Sequence, residues 1–508
     1  MSKGKVWLVG AGPGDPGLLT LRGREVLEQA DVVVYDALVS LQILGMIPQG
    51  VKKIFAGKRS GCHYLKQEEI NELLLDEALK GNRVVRLKGG DPFLFGRGGE
   101  EIEVLTHNNI PIEIVPGITS ALAVPAYQGI PVTHRDYCSS VHIITGHKRK
   151  DHTYDIDFSA LVKTKGTLVF LMGIAALPDI CTGLLSEGMN PETPAAILIK
   201  GTTVRQERIS ATLGTLVKCC EERNIPTPAI IIVGNVCALA DEFGWYEKLP
   251  LSGISVMITR PRSMSSRLAK MLRAEGGEVL EVPTIKINST MQEEQYKTIF
   301  SDLMNGQYDW LVFTSPSGVK IFFDELIREH DIRILYMVKI AVIGQGSERE
   351  LNRYGIKADF IPSVYDGQTL GRELAKIVDE NSKVLIPRAK LGNKELVDEL
   401  LKRDGVSVTD IPIYDTEYEL QDPLYKDILT ENGGVDYVMF TSASTVHGFV
   451  QAYKEADYKH IKAVCIGQQT CAAAKTYGMQ TLTAQTATLE AMVKCLKDEV
   501  SKMEGHGV

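Results

Sequence analysis

Short apolar runs alternate with longer mixed segments through the first half of the chain, and loops containing glycine or proline separate them. Apolar runs of this length predict buried strands, and the longer segments between them predict helices. The predicted strands are 6–9, 32–35, 83–87, 111–115, 141–145, 167–171, 195–199 and 229–233, and the predicted helices are 20–30, 67–79 and 99–107. This order predicts an α/β fold with a largely parallel sheet, split into two lobes around 129–134.

A proline and two glycines interrupt the alternation between 242 and 253. A new apolar strand at 254–258 then restarts it, and a helix is predicted at 265–274. Because few contacts usually cross such proline- and glycine-containing breaks, we predict a first domain at 1–245, a linker at 246–253 and a second domain at 254–508.

Two strings of the second domain occur twice. DWLVFTSPSGV at 309–319 resembles DYVMFTSASTV at 436–446, and KIAVIGQ at 339–345 resembles KAVCIGQ at 462–468. In each copy a strand ends in Thr-Ser at the start of a helix, where hydroxyls and free backbone N–H groups can bind a carboxylate. We infer two lobes of one design that face a shared cleft, with generic α/β repetition as the alternative.

The composition is that of an ordinary globular protein. The chain has 508 residues, 44% of them hydrophobic and 24% charged, which is long enough for more than one core. A formal net charge of -8 argues against a general nucleic-acid binder. Neither a membrane span nor a signal peptide is recognisable, and the nine cysteines form no Cys-X-X-Cys pair. We therefore expect a reduced, soluble, cytoplasmic protein that binds no membrane, no nucleic acid and no metal.

Two glycine-rich loops carry the candidate chemistry of the first domain. The loop at 10–17 resembles a dinucleotide-binding fingerprint, but Asp15 stands at the third glycine position and Pro13 removes a backbone donor. A ligand without phosphates is therefore favoured over a nicotinamide cofactor. The loop at 89–101 contains five glycines, with Phe93 and Phe95 available to line an apolar pocket.

The strings VGAGPGDPGLLTLRG, YDALVS, GKRSG, VVRLKGGDPFLFGRGGEE, VPGITSA, GIPVTHR, TGH and FLMG follow one another along the first domain. In this order and spacing the chain resembles the uroporphyrinogen-III C-methyltransferases, which belong to the tetrapyrrole methyltransferases. The resemblance implies two methyl transfers from S-adenosyl-L-methionine to uroporphyrinogen III, which give precorrin-2. It also implies that the cofactor lies between two α/β lobes and that the protein is a homodimer.

The resemblance also assigns roles to individual residues. Asp36 and Lys58 match the two positions with acid/base roles, and a carboxylate such as Asp36 suits the removal of a ring proton. We expect Asp91 to favour the cationic groups of the cofactor. The positions that match the family's cofactor contacts are Pro13, Gly89, Gly90, Asp91, Leu94, Thr119, Ser120, Met172 and Gly201.

The porphyrinogen carries eight carboxylates, so a net-acidic protein needs local basic residues to bind it. Arginine is preferred for such contacts because its guanidinium can pair with a carboxylate through two bonds. The candidates in the first domain are Arg22, Arg59, Arg86 and Arg97. For each of them the alternative is an ordinary solvated surface charge.

The second domain resembles uroporphyrinogen-III synthase. The resemblance rests on ITRP at 258–261, on both FTS strings, on IGQ twice and on Pro387-Arg388 followed by the segment around Tyr414. It implies two flavodoxin-like lobes, with 254–283 packed against the segment from about 418 onwards and 285–412 forming the other lobe.

Synthase chemistry needs no cofactor. Hydroxymethylbilane loses water, its terminal ring is inverted and the macrocycle closes, so the protein must fold a flexible polycarboxylate and exclude water. Tyr414 matches the tyrosine proposed in this family to assist loss of the hydroxyl. The residues expected to hold substrate carboxylates are Arg260, Thr314, Ser315, Ser317, Arg388, Thr441, Ser442 and Ser444.

Together the two resemblances predict a bifunctional enzyme that makes precorrin-2 from hydroxymethylbilane, on the route to sirohaem or cobalamin. One alternative is an active methyltransferase fused to an inactive, synthase-like scaffold. Another is a protein that binds tetrapyrroles in both clefts without turnover.

Overall fold

The computed structural model describes residues 3–57, 65–146, 156–221, 223–260, 262–392, 394–419, 423–425, 428–429 and 434–504, without the side chains of 262–266 and 504. The chain divides into two compact units. One comprises Met1–Val256 and Ala269–Glu281, and the other comprises Met257–Leu268 and Val282–Val508. The division passes through a strand at 255–258, a little beyond the predicted linker, whose bounds remain a prediction.

The first sheet is entirely parallel, with the strand order β3-β2-β4-β1-β5. Its strands are β1 (Lys5–Gly10), β2 (Val32–Tyr35), β3 (Lys52–Phe55), β4 (Arg83–Lys88) and β5 (Ile112–Val115). The helices between and after them are α1 (Leu21–Glu28), α2 (Leu41–Leu44), α3 (Gln67–Leu79), α4 (Gly98–His107) and α5 (Ser120–Tyr127). The strands predicted in this part of the chain, which are β1, β2, β4 and β5, and the helix predicted at 67–79 are confirmed. Strand β3 was not predicted.

The second sheet has the strand order β6-β7-β10-β8-β9. Its strands are β6 (Val141–Thr145), β7 (Thr167–Leu171), β8 (Pro194–Ile199), β9 (Glu207–Thr212) and β10 (Ala229–Val233). Its helices are α6 (Phe158–Thr164), α7 (Leu177–Ser186), α8 (Leu216–Glu221) and α9 (Ala240–Phe243).

The prediction of a largely parallel sheet is wrong for this second lobe. Only β6 and β7 run parallel, and the other three pairings are antiparallel. Strand β9, at the sheet edge, was also not predicted, because its sequence ERISAT contains few apolar residues. The antiparallel arrangement brings the ends of β7 and β8 to the same edge, since Leu171 pairs with Ile230 and Ile199 pairs with Ala229.

The rest of the chain forms two more five-stranded sheets. Its strands are β11 (Ser255–Ile258), β12 (Glu278–Glu281), β13 (Ile285–Ser289), β14 (Trp310–Phe313), β15 (Lys339–Val342), β16 (Lys383–Ala389), β17 (Ser407–Tyr418), β18 (Tyr437–Phe440), β19 (Lys462–Cys465) and β20 (Gln480–Thr483). Its helices are α10 (Arg262–Ala274), α11 (Glu293–Met304), α12 (Pro316–Glu329), α13 (Gln345–Asn352), α14 (Gly367–Leu374), α15 (Glu395–Leu400), α16 (Ala443–Ala452), α17 (Gln468–Thr476) and α18 (Leu489–Glu504).

The third sheet has the order β12-β11-β18-β19-β20, and the fourth has the order β13-β17-β16-β14-β15. This confirms the predicted division, in which the first strands after the linker join the C-terminal segment and the intervening residues form a separate lobe. The duplicated strings occupy matching places, because β14 with β15 and β18 with β19 are neighbouring parallel strands in their sheets.

Buried strands explain why these sheets form. Val84, Val85 and Leu87 of β4 are fully buried, and β14 and β18 are buried along their whole length. Such strands are covered on both faces, which is typical of parallel sheets with helices on each side.

Three further features bear on the predictions from composition. No helix in the described ranges is both long and apolar enough to cross a membrane. The part of the chain that the structure describes holds no group of three or more metal-ligating side chains. The eight described cysteines are free thiols.

Candidate functional sites

The first candidate site lies at the carboxyl edge of the first sheet, where the loops after β1, β4 and β5 meet. Gly12 and Gly90 form a two-way backbone bridge, with N···O distances of 3.1 and 2.8 Å. A Cβ on Gly117 would lie 2.2 Å from the carbonyl oxygen of Gly90, and a Cβ on Gly10 would lie 2.4 Å from the Cα of Gly117. The glycines are therefore required because the backbones of three loops are in contact.

Asp91 joins two of these loops. Its Oδ1 accepts from the backbone N–H groups of Phe93 at 2.9 Å and Leu94 at 3.1 Å, and its Oδ2 accepts from Gly117 N at 3.0 Å. The carboxylate expected to attract the cofactor's positive groups thus also holds the glycine-rich loop against the turn that leads to Thr119 and Ser120. Thr119 caps α5, and Ser120 is the first residue of that helix.

The loop that contains Pro13 is fixed by two hydrogen bonds. Ser40 Oγ donates to the carbonyl of Gly14 at 2.7 Å, and the phenol of Tyr127 donates to Asp15 Oδ2 at 2.7 Å. Burial and the neighbouring Asp15 carboxylate raise the pKa of Tyr127 well above its usual range, so the phenol remains a donor. Asp15, which breaks the dinucleotide fingerprint, therefore has a structural role in the loop.

Segments of the second lobe complete this site. Met172 and Gly201 follow β7 and β8 at one sheet edge, and Met172 is 54% exposed with a backbone φ of 55°. A Cβ on Gly201 would lie 2.2 Å from a methyl of Val124 in α5. A Cβ on Gly14 would lie 3.2 Å from Oγ1 of Thr202. The residues predicted to bind the cofactor after β1, β4, β5 and β8 thus belong to neighbouring loops.

Thr202 was not predicted as a site residue. It is β-branched yet has a φ of 64°, and its buried Oγ1 has no hydrogen-bond partner among the described residues. Strain of this kind and an unpaired buried hydroxyl often mark a ligand site. Around Gly90, whose φ is 68°, the nearest atom to an added Cβ is Ser120 N at 4.0 Å. These features fit a cofactor held by backbone groups.

Asp36 directly follows β2 at the same edge. Its oxygens lie 3.4 Å from the backbone N of Gly89, and Oδ1 accepts from Leu38 N at 3.0 Å. Apolar side chains are exposed to solvent at Leu38, two residues after Asp36, at Phe93 and Phe95 in the loop after β4, and at Met172 after β7. A carboxylate on loops that also expose apolar side chains suits a flat, largely apolar ligand that must lose a proton.

The arginines predicted to bind substrate differ in their surroundings. Arg97 is exposed at the start of α4 and donates to Glu100 at 2.9 Å. Arg22 pairs with Glu113 on the edge strand β5, with 2.8 Å between Nε and Oε1, and the structure does not bring it to the carboxyl edge. Lys5 and Arg22 together lower the pKa of Glu113 to about 2.

Arg86 is only 3% exposed and donates through Nε to Glu101 at 3.1 Å. The prediction that it contacts substrate is not supported, because the guanidinium is buried and already bonded within the protein. Lys58 and Arg59 lie outside the described residues.

The second candidate site lies in the two lobes of the C-terminal half. Ser315 follows β14, caps α12 through Gly318 N at 3.0 Å, and lies 2.8 Å from the hydroxyl of Tyr414. Tyr414 is 6% exposed, and burial raises its pKa although the bond to Ser315 opposes this. The structure thus brings together two residues that the sequence places 99 positions apart.

The matching lobe presents a similar arrangement after β18. Ser442 caps α16 through Thr445 N at 3.3 Å and lies 2.8 Å from the hydroxyl of Ser444. Thr441 precedes it. Arg260 follows β11, the strand next to β18, since the adjacent Thr259 donates to the carbonyl of Met439 at 2.9 Å.

Arg260 and Arg388, both predicted to bind substrate, differ in their pairing. Among the described residues Arg260 has no hydrogen-bond or ion-pair partner, and burial lowers its pKa to about 10. Arg388 is 5% exposed and bound at both ends of its guanidinium by Asp410, at 2.6 Å through Nε. Arg388 therefore stabilises β16 against β17, whereas Arg260 has a guanidinium available for an anion.

Two family models match the chain. Tetrapyrrole (Corrin/Porphyrin) Methylases matches residues 5–217, and Uroporphyrinogen-III synthase HemD matches residues 266–494. The chain is 45% identical over 496 residues to the "Porphyrin biosynthesis protein HemD" of Ruminiclostridium josui, with 97% of both chains covered.

Two other proteins are similar to a smaller part of the chain. The "Uroporphyrinogen-III C-methyltransferase" of Bacillus subtilis is 40% identical, with 70% of this chain and 72% of that protein covered. A solved uroporphyrin-III C-methyl transferase from Thermus thermophilus, complexed with S-adenyl homocysteine, is 39% identical with a TM-score of 0.41 and covers 46% of this chain and 99% of its own.

Proposed function

Since the chain belongs to the family in which a tetrapyrrole methylase and a uroporphyrinogen-III synthase are joined in one polypeptide, we propose that it makes precorrin-2 from hydroxymethylbilane. In this proposal the C-terminal half closes hydroxymethylbilane to uroporphyrinogen III with loss of water. The N-terminal half then methylates that product twice.

The observation that supports the methylation step is the meeting of the loops after β1, β4 and β5 around Gly90, with the loop after β8 placed against Gly14 and Val124. Pro13, Gly89–Asp91, Thr119–Ser120 and Gly201 lie on these loops, and three of the contacts leave no room for a side chain. S-adenosyl-L-methionine, when bound, supplies an activated methyl group. The backbone groups of these loops, with Leu94 and the exposed Met172, would hold it without any phosphate contact.

Asp36 is the proposed base. It lies at the sheet edge next to Gly89, where its ionised carboxylate can take the proton from the ring carbon that has received the methyl group. Leu38, Phe93 and Phe95 provide apolar surface for the macrocycle, and Arg97 provides a cation for one of its carboxylates. Lys58 and Arg59 keep their proposed acid/base and substrate roles.

The observation that supports the synthase step is the pair of serine-capped helices, together with Arg260, which has no partner among the described residues. The N-termini of α12 and α16, with Thr314, Ser315, Thr441 and Ser442, present N–H and hydroxyl donors to substrate carboxylates. Arg260 adds a cation that binds no protein carboxylate in the described part of the chain. Tyr414, held by Ser315, is the proposed donor to the departing hydroxyl.

The remaining parts of the proposal rest on the family resemblance. We propose a cytoplasmic homodimer formed through the methylase half, whose product enters sirohaem or cobalamin synthesis. Light scattering of the purified full chain tests the dimer, and a monomer at micromolar concentration would contradict it.

Separate assays test the two activities. The full chain should methylate added uroporphyrinogen III, and without methyl donor it should convert hydroxymethylbilane to the III isomer. If only the first occurs, the C-terminal half is a scaffold. If neither occurs while both tetrapyrroles bind, the protein is a carrier and the proposal is wrong.

A further inference from the structure

Three charged side chains are buried around the end of β4. Arg86, Lys88 and Glu101 are 3%, 4% and 0% exposed. Glu101 Oε1 accepts from Arg86 Nε at 3.1 Å and from Lys88 Nζ at 2.8 Å. Burying charges is costly, and apolar residues of similar size often stabilise a fold as well, so the cluster calls for an explanation other than stability.

The guanidinium of Arg86 is held at several points. Nε binds Glu101, and Nη1 donates to the carbonyls of Val34 at 3.4 Å and Leu87 at 3.3 Å. Because these contacts fix the planar group, Nη2 is held 4.0 Å from Oδ2 of Asp36. The charge on the far side of this arginine therefore faces the proposed base.

We propose that Arg86, held in place by Glu101, is a positioning residue that orients the carboxylate of Asp36 for proton removal. This inference rests on the proposed function, because it assumes that Asp36 is the base. Of the two basic residues at this end of β4, Arg86 places its guanidinium 4.0 Å from Asp36, whereas Lys88 directs its amine to Glu101.

The substitution Arg86→Gln tests this inference without leaving a buried charge unpaired. Glu101 keeps Lys88 as its partner at 2.8 Å, so the buried pair remains neutral overall. Single-turnover methylation by Arg86→Gln should be slower than that of the wild type by about tenfold or more, because Asp36 loses the planar group that orients it. Combining Arg86→Gln with Asp36→Asn should slow the reaction no further than Asp36→Asn alone, because Arg86 acts through that carboxylate.

Two further variants test the geometry. Arg86→Lys keeps the charge but loses the planar group, so its maximal rate should also fall. Glu77→Gln is a matched control, because Glu77 is also buried and paired with Lys52 and Lys80 at 2.9 Å, but at the opposite edge of the same sheet. Its single-turnover rate should equal that of the wild type.

Calorimetry with S-adenosyl-L-homocysteine shows whether each variant keeps its cofactor site, and we expect unchanged affinity for all three. A wild-type rate in a folded Arg86→Gln protein, or a further loss of rate when it is combined with Asp36→Asn, would overturn the inference. If Arg86→Gln does not fold, a wild-type maximal rate in Arg86→Lys would overturn it. Asp36→Asn separates the two claims: if it methylates at the wild-type rate, the proposed base is wrong, whereas a slow Asp36→Asn with a wild-type rate in Arg86→Gln rejects only the role of Arg86.

Discussion

The hydroxyl of Tyr414 lies 2.8 Å from Oγ of Ser315, which joins β17 to the N-terminus of α12. Ser315 also accepts from Gly318 N, so its own position is set by the helix. Because the phenol is buried and its pKa is raised, it remains a neutral donor at physiological pH. This is the state required of a group that assists departure of a hydroxyl.

Tyr414→Phe should slow ring closure of hydroxymethylbilane by about tenfold or more, because the buried donor is lost while the ring still packs. Methylation of added uroporphyrinogen III should not change. Tyr354→Phe is a matched control, since Tyr354 donates to Asp324 at 2.7 Å in the same lobe. Stopped assays that quantify the III isomer measure the rate of ring closure in both variants. Equal rates for Tyr414→Phe and the wild type would show that the tyrosine does not take part in the reaction.

Asp91→Ala should weaken binding of S-adenosyl-L-homocysteine by about tenfold or more, because three backbone amides lose a charged acceptor and the loops separate. Calorimetry of the full chain measures this affinity. Asp31→Asn serves as control, since Asp31 accepts from Arg83 N at 2.8 Å at the opposite sheet edge. Unchanged affinity in Asp91→Ala would show that the loops keep their shape without it.

Asp36→Asn should leave the affinity for S-adenosyl-L-homocysteine nearly intact and slow methyl transfer by about 100-fold or more, as expected for loss of a positioned base. The amide keeps the shape of the side chain and can still accept from Leu38 N. Single-turnover rates equal to the wild type would limit Asp36 to a structural role at the end of β2.

Arg260→Gln should affect substrate binding, whereas Arg388→Gln should affect the stability of the fold. Arg260 has no partner in the described part of the chain, so its loss should change the unfolding free energy by less than about 0.5 kcal/mol but raise KM for hydroxymethylbilane. Loss of Arg388 leaves Asp410 without its partner and should destabilise the fold by about 1–3 kcal/mol. Urea unfolding and initial rates distinguish the two, and an unstable Arg260→Gln would contradict this assignment.

The sequence predicted the fold best where strands are buried. The strands around Val33, Val85 and Leu311 are continuous apolar runs. The duplicated strings indicated two lobes in the C-terminal half, and the resemblance to the synthase family implied which segments form each lobe. Strand direction in the second lobe was not predictable, because apolar runs look the same in parallel and antiparallel pairings. Edge strands β3 and β9 were missed because they carry polar residues on an exposed face.

Site residues within a sequence motif could be predicted. Residues whose role depends on a partner distant in the sequence could not. The glycines around Gly90 appeared in the sequence as a loop motif, and the structure gives them a steric reason. Arg86 and Arg388 looked like substrate cations, because a sequence does not show that Glu101 and Asp410 neutralise them. Thr202, whose hydroxyl has no partner among the described residues, could not be recognised from the sequence, because its backbone conformation is visible only in the fold.

The most direct test of the central claim is a single reaction with one purified chain. Supplied with hydroxymethylbilane and S-adenosyl-L-methionine alone, the protein should yield the dimethylated precorrin-2 product of the III isomer. Conversion of hydroxymethylbilane only to the spontaneously closed I isomer, while added uroporphyrinogen III is still methylated, would contradict the bifunctional account.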